Sequence, residues 1–180
     1  MRRIAVVGPT GSGKTTLAAE LAKRLGVPHV ELDALHWGPG WAPPDLEAFR
    51  DRVAAALAGK GWVADGNYRK VRGIIWTRAD TLVWLDYPLW LTLWRLLRRT
   101  VRRVGKQEVL WNGNRETWWG TLLAKDSLLR LSVQGHRRMR EGYPLALQLP
   151  EYRHLRVVRL RTPQETGAWL AQVSQDPGEG

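Results

Sequence analysis

The sequence predicts a three-layer α/β/α fold built on a five-stranded parallel sheet with an inserted helical lid. Three observations carry that expectation. Short apolar runs alternate with stretches of helical periodicity, the links between them are short, and the first apolar run passes through a glycine-rich turn directly into a helix. Ile4-Ala5-Val6-Val7 reads as the first strand, and residues 14–25 as the first helix. His29-Val30-Glu31-Leu32 reads as the second strand, followed by a Trp-, Gly- and Pro-rich connector over residues 36–44. Asp is favoured at helix N-caps, and Ala, Leu and Phe recur at helical spacing after Asp45, so a helix is expected from there to Leu57. Gly61-Trp62-Val63-Ala64 and residues 81–85 supply the third and fourth strands, and a long amphipathic helix follows over 89–104. Residues 105–145 are polar, basic and dotted with tryptophan, with a further helix expected near 122–140. Residues 155–160 form a last strand, 163–173 a closing helix, and 174–180 a frayed tail. The whole of 1–180 is expected to be one domain, with the lid over about 104–145.

Composition narrows the chemistry. Cysteine is absent, which excludes disulfides, thiolate metal sites and a cysteine nucleophile and suits a reducing cytosol. The first strand begins close to Met1, so no secretory leader is expected, and a cytoplasmic location is the expectation. The most apolar stretch, near 84–97, is interrupted by Asp86, Pro88 and Arg95, so no membrane span is expected. With 28 basic and 17 acidic residues the formal charge is +11, and arginine dominates lysine. That balance points to anionic partners: nucleotides, phosphorylated metabolites or nucleic acid.

Gly8-Pro9-Thr10-Gly11-Ser12-Gly13-Lys14-Thr15 satisfies the phosphate-loop pattern G-x-x-x-x-G-K-[ST] in the strand–loop–helix context that its physics needs. Free N–H groups at the start of the helix, aided by its dipole, form a cradle for phosphate oxygens. Gly8, Gly11, Ser12, Gly13, Lys14, Thr15 and Thr16 are therefore the expected nucleotide-binding residues. Gly11 and Gly13 let the backbone approach the anion, Lys14 reaches the β- and γ-phosphates, and the Thr15 hydroxyl holds magnesium. ATP with Mg2+ is the expected ligand.

In open parallel sheets ligands bind at the carboxyl ends of strands, where Asp33, Asp65 and Asp86 all fall. Asp86 closes the run Leu82-Val83-Trp84-Leu85 and is either a magnesium carboxylate or a turn residue before Pro88. Asp65 opens Asp65-Gly66-Asn67-Tyr68-Arg69 and is either a magnesium or acceptor residue or part of a simple turn. Asp33 faces the same cleft and is expected to hold an acceptor hydroxyl and take its proton. On the long helix, Trp90, Leu93, Trp94, Leu97, Val101 and Val104 share one side, and Arg95, Arg98, Arg99, Arg102 and Arg103 the other. The arginines are either a solvated face or a clamp on the transferring phosphates. Arg115, Arg137, Arg138 and Arg140 extend this electropositive region. Trp37 and Trp41 either stack on a substrate ring or pin their loop to the core. His36 is the one histidine expected near the acceptor, while His29, His136 and His154 read as structural.

These residues resemble the adenylate-kinase-like branch of small P-loop kinases. Asp65-Gly66-x-x-Arg69 resembles the D-G-x-x-R acceptor motif of nucleoside monophosphate kinases, with Tyr68 in place of the usual proline. Leu85-Asp86-Tyr87-Pro88 resembles that branch's L-D-x-P segment. Arg95 and Arg99 stand where it carries two arginines that touch ATP, and Arg161-Thr162-Pro163 resembles its adenine-packing loop. Asp33 matches the acceptor-hydroxyl position of shikimate- and gluconate-type kinases. The stretch Leu32-Asp33-Ala34-Leu35-His36-Trp37 with Pro39-Gly40-Trp41, together with Asp65-Gly66-Asn67-Tyr68, is most similar to the adenylate kinase-related group that includes proteins labelled DNA topology modulation.

The resemblance implies an ATP-dependent small-molecule kinase. Lys14, Asp33, Arg95 and Arg99 would be catalytic, and Arg161 and Pro163 would join the phosphate loop at the nucleotide. Asp33, His36, Trp37, Asp65 and Arg69 would face a nucleotide or other small acceptor, within an acceptor region over about 33–60. Thr15, Asp65 and Asp86 would serve magnesium. The competing expectation, from charge and interleaved Arg and Trp, is a nucleotide-dependent nucleic-acid-binding or regulatory protein. No zinc-finger, helix-turn-helix or N-K-x-D guanine motif is present, and no mechanism assigns the run from Leu110-Trp111-Asn112-Gly113-Asn114 to Glu116.

Overall fold

In the computed structural model, the described residues are 1–106, 109, 111–114 and 128–173. Five strands, β1 (Arg3–Val7), β2 (His29–Glu31), β3 (Trp62–Asp65), β4 (Thr81–Leu85) and β5 (Arg156–Leu160), form one sheet in the order β2-β3-β1-β4-β5. All four neighbouring pairs are parallel, as the alternation of strand and helix requires.

The alternating pleat sorts the core into two layers. Ile4 and Val6 of β1 face α1 (Lys14–Leu25), packing with Leu17, Leu21, Val63 and Val83. Ala5 and Val7 face the opposite side. There α2 (Leu32–His36), α3 (Leu46–Ala56), α4 (Arg72–Arg78) and α6 (Leu128–Ala146) supply Leu32, Phe49, Val53, Ile75, Trp76 and Tyr143. The last helix, α7 (Pro163–Gln172), covers the α1 side through Trp169 and Leu170.

Caps fix the helix starts. Asp45 accepts hydrogen bonds from the amides of Glu47 and Ala48 at 3.0 and 3.4 Å. Thr162 accepts from the Glu165 amide at 3.1 Å while Glu165 reaches back to the Arg161 amide at 2.7 Å. Arg161 and Pro163, expected at an adenine, thus open α7 at the carboxyl end of β5.

Several expectations change. Leu32, expected at the end of β2, begins α2. Helix α4, which brings Trp76 into the core, is too short to show a periodic pattern in sequence. The helix expected near 122–140 is α6; residues 121–127 lie outside the described residues, and the helix runs on to Ala146. Its second half places Met139, Tyr143 and Ala146 in the core, so part of the segment expected as lid is a wall of the domain. Of the rest of the expected lid, residues 104–106, 109 and 111–114 are described, while Arg115 and its neighbours to 127, and the tail over 174–180, lie outside the described residues.

Helix α5 (Leu89–Gly105) packs unusually. Its innermost line is Thr92, Leu96 and Thr100, while Trp90, Trp94, Leu97 and Val101 are exposed. The helix lays the seam between its apolar and arginine sides on the core. This rotation turns Arg95 towards the phosphate loop, which a fully buried apolar face would not do.

Candidate active site at the carboxyl end of the sheet

The phosphate loop leaves β1 and turns into α1 at Gly13, whose φ of 90° is a left-handed conformation that favours glycine. Gly13 makes no side-chain cap, and the first turn of α1 carries no acidic residue. The amides there face an anion position without internal competition. A Cβ built on Gly13 would meet only Arg95 Nη1 at 3.7 Å, so this glycine keeps the approach open. Gly11 has a different job. Its φ is 84°, and a Cβ there would run into the Thr92 carbonyl oxygen and lie 3.2 Å from the Leu96 nitrogen. Helix α5, which crosses directly over the loop, leaves no room for a side chain at Gly11. Gly8 is equally confined, by Leu85 at 3.0 Å and the Ser12 hydroxyl at 2.7 Å.

Ser12 is buried, and its Oγ has no hydrogen-bond partner among the described residues. An unsatisfied hydroxyl at that depth costs about 1–3 kcal/mol, and an anion in the cradle relieves it. Arg95 Nη1 donates to the Ser12 carbonyl at 3.2 Å, and its guanidinium lies 5.5 Å from the Tyr87 ring centre. Arg99 lies one turn further along α5 and lines a cleft with Arg95, Arg98 and Arg102. Lys14 is half-buried at the first position of α1, and Thr16 is exposed two positions on.

The second wall is the segment Asp65-Gly66-Asn67-Tyr68, in which three side chains each join separate parts of the site. Asp65 is buried; its Oδ2 accepts from the Thr15 hydroxyl at 2.7 Å and its Oδ1 meets His29 Nε2 at 2.8 Å. That bond to Asp65 raises the pKa of His29 above its usual value. Gly66, at φ 142°, passes against Leu32, where a Cβ would lie 2.9 Å from that side chain. The Asn67 amide accepts from the Gly8 N–H at 3.2 Å and donates to the Gly8 carbonyl at 2.5 Å, clamping the start of the phosphate loop. The Tyr68 hydroxyl donates to Asp33 Oδ1 at 2.6 Å. Burial, then the charge of Asp33, pushes the Tyr68 pKa well above that of an ordinary phenol, so it stays a donor.

Around Tyr68 the aromatic residues form a connected set. His36 stacks edge-on against Trp37 and Phe49 and tilts against Tyr68 at 4.5 Å, and Trp37 meets Trp41 at 5.6 Å. Burial lowers the pKa of His36. Arg69, in a short 3-10 turn before α4, lines a cavity of about 770 Å3 between the phosphate loop, α4 and α6. Thr10, Tyr68, Arg72, Trp76 and Arg138 also line it.

Asp86, expected either at magnesium or in a turn, is engaged by two arginines. It is buried as a site carboxylate should be, but both oxygens are committed to arginines. Arg140 Nε binds Oδ1 at 2.7 Å, and Arg159 binds Oδ2 through Nη2 at 2.6 Å and Nε at 3.0 Å. Two guanidiniums neutralise the carboxylate and disfavour a further cation beside it, and these pairs tie the end of β4 to β5 and α6. His29, read as structural, holds the Asp65 carboxylate through its Nε2. His136 and His154 bind the backbone carbonyls of Tyr87 and Ala79, as structural histidines do.

Sequence reasoning missed Asn67, Tyr68, Arg140 and Arg159 as contributors. The first two stood inside a quoted motif, and only their side-chain directions were unknown. Arg140 stood only as part of an electropositive region and Arg159 gave no signal, because their pairing with Asp86 depends on where α6 returns to the sheet.

The profile of the family described as "ATPase family associated with various cellular activities (AAA)" matches residues 4–61, which include the phosphate loop and Asp33. No curated protein sequence matches the chain. Solved structures similar to it over nearly its full length include small kinases. Shikimate kinase from Bacteroides thetaiotaomicron is 15% identical, covers 96% of both chains and gives a TM-score of 0.56. A gluconokinase from Sinorhizobium meliloti 1021 is 20% identical, covering 97% of this chain and 94% of its own, with a TM-score of 0.53. Shikimate kinase from Acinetobacter baumannii, solved with shikimate, is 19% identical over 96% of this chain and 90% of its own, with a TM-score of 0.54. The fold is that of the P-loop NTPases. Within that fold the Thr15 hydroxyl, the Asp65 carboxylate and the open start of α1 suit a magnesium-bound nucleoside triphosphate. Among the described residues, no helix is long and apolar enough to cross a membrane.

Proposed function

We propose that the protein is a phosphotransferase that moves the γ-phosphoryl group of ATP to a small-molecule acceptor, in the manner of the adenylate-kinase-related P-loop kinases. The observation that carries this reading is the Asp65–Tyr68 segment. It hydrogen-bonds the phosphate loop through Thr15 and Gly8, and Asp33 through Tyr68, so one rigid strand end spans a donor side and an acceptor side.

In this reading the amides at Gly13, Lys14 and Thr15 hold the β- and γ-phosphates, with Ser12 Oγ satisfied by the same anion. The Lys14 ammonium, with Arg95 and Arg99 from α5, neutralises charge on the transferring group. Thr15 and Asp65 would hold magnesium, which when bound would supply charge neutralisation to the nucleotide. Asp33 orients the acceptor hydroxyl and takes its proton. The acceptor oxygen bonds to the γ-phosphorus as the bond to the β–γ bridging oxygen breaks, and ADP leaves with that electron pair. The cavity beside Tyr68 receives the acceptor's body, and Arg69, Arg72 and Arg138 favour an anionic group on it. The kinase folds of the shikimate kinases and gluconokinase support the reaction class, and the absence of cysteine suits a cytoplasmic location.

The test is ADP release from Mg-ATP against nucleotides, nucleosides, sugars and hydroxy acids, with Lys14→Ala as control. Stimulation by one acceptor that vanishes in Lys14→Ala identifies the substrate. Tight ATP binding with no stimulated turnover, alongside a salt-sensitive DNA shift, would replace this reading with the nucleic-acid or regulatory one.

A further inference from the structure

The segment Trp111-Asn112-Gly113-Asn114 lies more than seventy positions after the Trp37–Trp41 connector, yet its side chains are bonded to that connector and to the strand before it. Trp111 Nε1 donates to Glu31 Oε2 at 3.0 Å, and Asn112 Nδ2 donates to the Trp37 carbonyl at 2.5 Å. Asn114 bridges the loop, its Nδ2 donating to the Gly38 carbonyl at 2.9 Å and its Oδ1 accepting from the Trp41 N–H at 3.0 Å. The Asn114 side chain is buried at 4% exposure and uses both ends of its amide. A primary amide carries a donor and an acceptor on one rigid group, so Asn114 serves a carbonyl and an N–H of the same loop at once. The Trp111 ring meets Trp41 edge-on at 6.3 Å.

What this contact holds is strained. Trp41 has φ 61°, directly after Gly40 at φ 66°. For a bulky L-residue the left-handed region costs about 1–2 kcal/mol and persists only where the surroundings over-determine it. Here the surroundings are Asn114 on the Trp41 N–H and the rings of Trp37 and Trp111. The clamping turn is itself built for left-handed backbone, with Asn112 at φ 55° and Gly113 at φ 80°, residue types that tolerate it.

We propose that residues 111–114 are a latch that positions the acceptor loop: Asn114 and Trp111 hold Trp41 in its left-handed conformation and thereby set the wall formed by Trp37 and His36 beside Asp33. The catalytic role of that wall rests on the kinase reading above; the latch itself does not. Asn114 and Trp111 are positioning residues, acting through Trp41 and Glu31 rather than on phosphate.

The full chain, labelled with 15N-tryptophan, tests this through hydrogen exchange of the Trp41 amide. In Asn114→Ala that amide is expected to exchange about tenfold faster, the effect of losing one hydrogen bond of ordinary strength, while the Trp84 amide in β4 is unchanged. Asn112→Ala, at an exposed position with no role in the core, provides a second variant that should fold regardless and should also speed Trp41 exchange. Unchanged Trp41 exchange in folded protein of both variants overturns the latch. With the acceptor found by the ADP-release panel, Asn114→Ala is expected to raise the acceptor KM at least about fivefold and leave the ATP KM within twofold. Equal changes in both constants overturn the positioning role. If no acceptor stimulates the wild type, the kinase reading fails separately, and Trp41 exchange still decides the latch.

Discussion

Thr15, on the first turn of α1, donates its hydroxyl proton to Asp65 at the end of β3, at 2.7 Å across fifty positions of sequence. The partner strands β1 and β3 run parallel in register, with Val6 opposite Asp65, so the loop after one and the carboxylate ending the other meet at the same sheet edge. This hydroxyl–carboxylate pair is the expected magnesium site. Thr15→Val keeps the side-chain shape and removes the hydroxyl. It should lower acceptor-stimulated turnover at least about a hundredfold and raise the magnesium needed for half-maximal rate, with the melting curve little changed. An unaltered magnesium titration would remove Thr15 from the metal site.

Gly11 and Gly13 should respond to alanine in opposite ways. Gly11→Ala strains a φ of 84° and drives a methyl into the α5 backbone at Thr92 and Leu96, so it should destabilise the fold by about 2 kcal/mol or more. Gly13→Ala meets only the end of Arg95 and should cost about 1–2 kcal/mol of strain while weakening nucleotide affinity more. Urea unfolding and nucleotide titration of the two variants check both orders.

Asp86→Ala should be a stability variant. It leaves Arg140 and Arg159 facing each other, and breaking a buried pair costs about 3–5 kcal/mol. Both guanidiniums are more than a third exposed, which screens the loss to about 2 kcal/mol. The magnesium dependence of turnover should not move. If it does, Asp86 serves the metal after all.

The Tyr68 hydroxyl holds Asp33, and Tyr68→Phe leaves the ring in its aromatic set while releasing that carboxylate. Turnover should fall about tenfold or more with ATP affinity unchanged, read by steady-state rates and equilibrium nucleotide binding. A loss of ATP affinity instead would put Asp33 on the donor side.

Burial holds the pKa of His36 below its ordinary value of 6.5. The unfolded chain therefore binds the proton more readily between the folded pKa and 6.5. Stability should be fully present above pH 6.5 and be lost as pH falls from there through the folded value. In His36→Phe this part of the acid slope should disappear from thermal melts taken between pH 5 and 8. An identical slope in both proteins assigns the acid sensitivity to other groups.

Much was fixed locally. The phosphate loop, all five strands to within a residue at each end, the Asp45 cap and the long helix after Pro88 were legible because glycine spacing, capping chemistry and hydrophobic periodicity act over a few neighbouring residues. The same locality brought Asp33 and Asp65 to the carboxyl edge, since strand ends follow from strand positions in a parallel sheet. Which side chains share a bond there depended on sheet order and helix rotation, and neither has a local signature. Placing β3 beside β1 gave Asp65 to Thr15 and His29; returning α6 to the sheet gave Asp86 to Arg140 and Arg159 rather than to a cation. The roll of α5 decided that Trp90 and Trp94 stay exposed while Arg95 reaches the loop. Trp111 and Asn114 gained a role only when the chain brought them across more than seventy residues to Glu31 and Trp41, because a hydrogen bond is set by position in space and not by separation in sequence.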